Sequence, residues 1–142
     1  MRDFIVMVVD DEEEFREMTV KILTKRGLKV LSAESGEKTL EVLEQSRVDV
    51  VLLDVKMPGM DGIETLRRIR SLKPLVEVVL LTGHASVESG IEGMKLGAFD
   101  YLMKPIETDP LLQKLEEAFE KKRLHQEKID QALLKKHMSM PV

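Results

Sequence analysis

Three apolar runs, FIVMVV at 4–9, VDVVLL at 48–53 and VEVVLL at 76–81, limit what this chain can fold into more than any other feature. Each is short, rich in β-branched residues and bounded by polar or turn residues. Continuous apolarity, as opposed to strict alternation, fits strands covered on both faces, as in a parallel sheet. The segments between them have helical period. Phe15, Met18 and Ile22 fall on one face of a helix stopped by Gly27. Ile63, Leu66 and Ile69 follow Asp61, a candidate N-cap. Val87, Ile91 and Met94 form a third stripe ended by Gly97. LKVLSA at 28–33 alternates and is expected at an edge. FDYLM at 99–103 supplies a fifth strand before Lys104-Pro105, and a helix over 36–46 with Leu40 and Leu43 inward fills the remaining gap. A β-α pair repeated five times predicts an α/β fold, a doubly wound five-stranded parallel sheet with helices on both faces, and helical character from about 108 onward predicts an extended C-terminal helix.

With 142 residues the chain has the length of about one domain. It contains no Cys, which excludes disulfides, thiolate metal sites and thiol nucleophiles. No apolar run approaches the roughly 20 residues needed to span a bilayer. The N-terminal apolar stretch runs into acids and not into a small-residue cleavage site, so no signal peptide is read and a cytoplasmic location is expected. Residues 1–120 hold 16 basic and 24 acidic side chains, whereas 121–142 hold 6 and 2. The acidic body argues against direct nucleic-acid binding, and the basic tail reads as a solvated helix face.

The polar residues collect where such folds build sites, at the carboxyl ends of the strands. The first strand ends on Asp10-Asp11, the third on Asp54, the fourth on Thr82 and the fifth on Lys104. Three carboxylates drawn together repel and need compensation. All-oxygen donors favour a hard cation. Mg²⁺ takes one or two carboxylates, keeps waters and shares phosphate oxygens. A Lys ammonium and a Thr hydroxyl suit the same phosphoryl group, and a carboxylate such as Asp54 can accept it as a nucleophile. Each residue also has a duller reading. Asp10-Asp11 with Glu12–Glu14 can simply open a helix, and Asp54 can cap the turn at Pro58-Gly59. Tyr101 can be an edge-strand aromatic, and His84, His125 and His137 lack metal-ligand spacing. The joint placement at four strand ends favours the site.

VVDDEEEFR, LLDVKMPGMDG, LLTGHAS and GAFDYLMKP are similar, in order and spacing, to the signature blocks of the receiver domain of two-component response regulators. The resemblance covers residues 3–122 and includes the chemotaxis-regulator type. It implies the flavodoxin-like strand order 2-1-3-4-5, which the residues alone do not dictate. It also implies the individual roles: Asp54 as phosphoacceptor, Asp10 and Asp11 as the acidic pair for Mg²⁺, with Asp11 the direct ligand, and the backbone carbonyl of Lys56 as a further ligand. Thr82 and Lys104 become the catalytic contacts to phosphate, Thr82 and Tyr101 the switch pair, and Lys104-Pro105 a cis bond. Lys56 and His84 stand at positions that tune phosphate lifetime in the family.

The implied function is transfer of a phosphoryl group from a histidine kinase or histidine phosphotransfer protein to Asp54, followed by a conformational switch read by a downstream protein target. Such a protein catalyses only its own phosphorylation and dephosphorylation. An aspartyl phosphatase would carry a second Asp where Lys56 stands, and a non-phosphorylated interaction module would not need the full polar set. Residues 1–122 are expected to form the receiver domain and 123–142 a semi-independent helical, basic tail. Lys122 and Gln126 spoil the tail's heptad. Gly90 and Gly93 inside the helix at 86–96 mark it as the moving part. A homodimer could use the 86–119 face or the C-terminal helix.

Overall fold

The computed structural model describes residues 3–83 and 87–138, so His84 lies outside the described residues. Five strands alternate with five helices: β1 (Ile5–Val9), α1 (Glu13–Lys25), β2 (Lys29–Ala33), α2 (Gly36–Gln45), β3 (Val50–Leu53), α3 (Gly62–Leu72), β4 (Glu77–Thr82), α4 (Val87–Lys95), β5 (Asp100–Met103) and α5 (Thr108–Met138). The sheet is parallel throughout in the order β2-β1-β3-β4-β5. This is the flavodoxin-like doubly wound arrangement. β1 and β3 are its inner strands at the reversal of strand order, which places their carboxyl ends at the crevice where such sheets bind ligands.

The pleat divides each strand between two cores. Met7, Val51, Leu53, Val78 and Leu80 pack with Leu43 of α2 and with Leu66 and Ile69 of α3. Val6, Val8, Val50, Leu52, Val79 and Leu81 pack on the other face with Leu23 of α1 and with Leu112, Leu115 and Ala118 of α5. The continuous apolar runs therefore serve two layers at once, as the sequence predicts. Ser35 and Asp61 cap α2 and α3 by accepting the amides of Lys38 and Glu64 at 3.1 and 2.9 Å.

Two helical faces differ from the sequence reading. In α1, Met18 and Ile22 lie on the exposed side, and the inward residues are Thr19, Leu23 and the half-buried Phe15. Thr19 can be buried because its hydroxyl donates to the Phe15 carbonyl at 2.8 Å. A period counted on apolar residues alone rotates the helix by missing that satisfied threonine. In α4, the stripe Val87, Ile91 and Met94 faces outward, with Val87 80% exposed. The contact residues are the glycines. A Cβ on Gly93 would lie 2.5 Å from Leu80 Cδ1, and one on Gly90 would lie 3.3 Å from the Tyr101 ring. Both glycines thus have a packing reason, whatever they cost the helix. β2 is an edge strand as expected, but it does not alternate cleanly, since Val30 and Leu31 are both half-buried.

α5 is the extended C-terminal helix expected from the sequence, running unbroken from Thr108 to Met138. No break separates the tail from the body helix. Lys122, which by sequence spoils a heptad, reaches the amino-terminal end of the sheet and donates to Asp49 Oδ1 at 2.5 Å. Asp49 is fully buried, and its other oxygen accepts the Ile5 amide at 2.8 Å. Next to it on the sheet, Glu77 is buried with Oε1 3.8 Å from Lys121 Nζ. The basic cluster is therefore partly an anchor. Removing Lys122 leaves Asp49 with the Ile5 amide and the more distant Arg47, at 3.6 Å. Breaking such a pair from one side exposes the full desolvation cost of the other. Lys122→Met is expected to lower unfolding free energy by about 2–4 kcal/mol in urea titrations, whereas Lys128→Met on the exposed tail stays within about 0.5 kcal/mol.

Candidate functional site

The crevice at the carboxyl ends of β1 and β3 gathers the predicted acids. One carboxylate oxygen each from Asp10, Asp11 and Asp54 lies within 4.8 Å of the others. Asp10 and Asp54 are 2% and 5% exposed, while Asp11 faces solvent. Asp10 is held from three sides. Its Oδ1 accepts the Glu12 amide at 2.9 Å, its Oδ2 accepts from Lys104 Nζ at 2.7 Å, and its carbonyl accepts from Arg16 at 2.8 Å. Both carboxylate oxygens of Asp10 are thus engaged by protein donors, which leaves Asp11 as the freer ligand of the pair.

Asp54 sits one residue beyond β3, and its amide donates to the Val9 carbonyl at 3.0 Å. Burial pushes its carboxyl up from 3.8 to about 6, and the Asp10 charge adds to the rise. Lys104 pulls it back, Asp11 raises it further, and a backbone hydrogen bond from Lys56 lowers it. This carboxylate lacks sufficient positive charge around it. A hard cation among the three acids would supply it, and the donor set, all oxygen, is chemically suited to such an ion.

The loop after Asp54 is fixed by features absent from the sequence reading. A Cβ on Gly62 would lie 2.1 Å from the Asp54 carbonyl oxygen, so only glycine lets α3 begin this close to the loop. The Gly62 amide closes the turn by donating to the Val55 carbonyl at 2.8 Å. From α2, Glu37 Oε1 accepts the Met60 amide at 3.1 Å. Backbone hydrogen bonds at Glu37 itself and from Met60 hold its carboxyl below the usual range. A glycine at the first position of a helix, directly after an Asp cap, is the available signal for the first of these. Nothing in the sequence marks Glu37.

Thr82 is fully buried at the end of β4, and the Lys104 amide donates to its carbonyl at 2.8 Å. The Lys104-Pro105 bond is cis, as expected. The Lys104 ammonium pairs with Asp10, lies 3.9 Å from Glu12, and stands 3.9 Å from the centre of the Phe15 ring. Tyr101 is half-buried against Gly90 of α4 and borders a cavity of about 600 Å³ with Val87, Ile91, Met94 and Met103. Asp10, Asp11, Asp54 and Lys104 are therefore brought together, with Thr82 on the adjoining strand and Tyr101 on the outer one. Lys56 is exposed beside Asp54.

The raised Asp54 carboxyl has a consequence for stability. Between pH 3.8 and about 6 the folded protein holds a proton that the unfolded chain has released, so this group makes stability fall as pH rises through that window. Without metal ions, Asp54→Asn should melt at a higher temperature than the parent above pH 6, and the gap should close below pH 4. A gap that persists in acid would refute the assignment.

The response regulator receiver domain family matches residues 6–116. The transcriptional regulatory protein ZraR of Escherichia coli K12 is 41% identical over 113 residues, which are 80% of this chain and 26% of that protein. A response regulator receiver domain protein from Clostridium thermocellum has a crystal structure with a TM-score of 0.82 at 34% identity, covering 86% of this chain and 98% of that one. NtrX from Brucella abortus gives a TM-score of 0.84 at 29% identity, covering 91% of this chain and 29% of that one. The chain spans about a quarter of the length of the curated relatives it matches. Among the described residues no helix is long and apolar enough to cross a membrane. With its fold, its acidic crevice and these matches in agreement, the chain belongs to the receiver domains of two-component response regulators.

Proposed function

We propose that the chain receives a phosphoryl group on Asp54 from the phosphohistidine of a histidine kinase or phosphotransfer protein. The observation that carries this reading is the nearly buried carboxylate of Asp54, raised in pKa, beside two further acids and a lysine ammonium. A carboxylate oxygen of Asp54 attacks phosphorus, the phosphorus–nitrogen bond breaks, and the imidazole leaves with its electron pair. Asp10, Asp11, the remaining oxygen of Asp54 and the Lys56 carbonyl are the groups that would hold Mg²⁺. When bound, the ion neutralises charge on the transferring phosphoryl oxygens. Lys104 grips one of those oxygens and Thr82 donates to another. Hydrolysis of the acyl phosphate resets the site, and no external substrate is turned over.

Phosphorylation adds up to about two negative charges at the crevice. Thr82 is drawn to them, and Tyr101 follows by turning into the space beside α4. This is a shift between two populations, with the phosphoryl group as the biasing ligand. The exposed Val87, Ile91, Met94 and Met103 around Tyr101 form the surface on which a downstream protein, or a second copy, would read the change. Residues 1–122 carry the receiver function, 123–142 extend it, and the setting is cytoplasmic.

Incubation with a small phosphodonor or beryllium fluoride, with and without Mg²⁺, tests the reading by intact mass and hydrodynamic size. One Mg²⁺-dependent adduct is expected on the parent and none on Asp54→Asn. An adduct of equal yield on Asp54→Asn would place the acceptor elsewhere. On activation, the amide exchange rate in α4 should change while that in α1 stays the same, and in the resting protein α4 should exchange faster than α1.

A further inference from the structure

Lys104 must keep a flexible, charged side chain at the mouth of the crevice before any phosphoryl group arrives. A lysine stem carries substantial rotamer entropy, and its preferred refuge is water. Yet this side chain is only 14% exposed, its ammonium lying between Asp10 Oδ2 at 2.7 Å and the face of Phe15, 3.9 Å from the ring centre. An ammonium over an aromatic face is attracted by the ring quadrupole, more strongly where water is excluded.

The ring is itself held firmly. The Arg16 guanidinium donates to the Asp10 carbonyl and the Glu12 amide to Asp10 Oδ1, which locks the first turn of α1 onto the end of β1. Phe15 follows within that turn, half-buried against the core that includes Phe4, Val8 and Leu23. The same aspartate that pairs with the ammonium therefore sets the position of the ring beneath it.

We infer that Phe15 is a positioning residue for phosphoryl acceptance: its ring face seats the Lys104 ammonium against the acids, so that the amine is already placed when the phosphoryl group enters. The seat holds the stem out of solvent through its π face and not merely through its bulk. Preplacing a reacting group in this way lowers the ordering cost of the transfer. The inference rests on the reading of Lys104 as the phosphate-gripping group.

The seat has a signature in the resting protein. Protons above an aromatic face are shifted upfield by its ring current. The ε-methylene protons of Lys104, assigned by their loss in Lys104→Arg, should resonate upfield of those of the other lysines, and Phe15→Leu should abolish the shift. Phe15→Leu keeps most of the volume and should accept phosphoryl from acetyl phosphate about two- to tenfold more slowly, while Phe15→Tyr, which keeps the face, should match the parent. An unshifted Lys104 signal in the parent overturns the inference without recourse to any variant. So does a Phe15→Leu protein that reacts at the parent rate, or equal slowing in Phe15→Leu and Phe15→Tyr. If Lys104→Met reacts as fast as the parent while the upfield signal is present, it is the reading of Lys104 that fails, and the role of the seat in transfer with it.

Discussion

The structure is organised around a concentration of like charge that the fold tolerates but does not neutralise. Asp10, Asp11 and Asp54 converge at the reversal of strand order, and one ammonium, that of Lys104, faces them directly. Most of the local architecture can be read as the means of holding those groups in place. β1 and β3 pair in register up to Val9 and Leu53, so the acids emerge side by side. α1 is fastened to Asp10 through Arg16 and Glu12. α3 starts hard against the Asp54 carbonyl because Gly62 has no Cβ. Unrelieved negative charge of this kind prepares a site for a cation, and a cation held there would offset the repulsion that the acids exert on an incoming anionic phosphoryl group.

The far end of the sheet follows the opposite logic. There Asp49 is equally buried, but it is fully engaged by the Ile5 amide and Lys122. Two aspartates at opposite ends of the same strand region thus differ in their surroundings and not in their chemistry. The difference leaves Asp49 paired within the protein and the Asp54 carboxyl raised to about 6. Between the two aspartates β3 offers only the aliphatic side chains of Val50 to Leu53.

Much of this is legible in the sequence, for specific reasons. VDVVLL and VEVVLL read as strands because apolarity without alternation, at that length, calls for cover on both faces of a sheet. Asp10, Asp11, Asp54, Thr82 and Lys104 stand out because the architecture tells where strand ends gather. The strand order comes only from the family resemblance, since right-handed crossovers leave more than one sheet possible. The faces of α1 and α4 are misread when helical period is counted on apolar residues, because Thr19 is buried with its hydroxyl satisfied and α4 approaches the sheet through glycine. Lys122 looks like an interruption because its partner lies 73 residues away in sequence. Phe15 is plainly apolar, but no pattern along the chain announces the cation above it.

The unbroken α5 has a mechanical corollary. At about 1.5 Å per residue, the 16 residues from Arg123 to Met138 extend about 24 Å past the point where Lys122 clamps the helix to the sheet. For a straight rod hinged there, a tilt of about 5° would carry the far tip through about 2 Å. In that geometry the rod is a lever arm, converting any small rotation at the clamp into larger travel at its end.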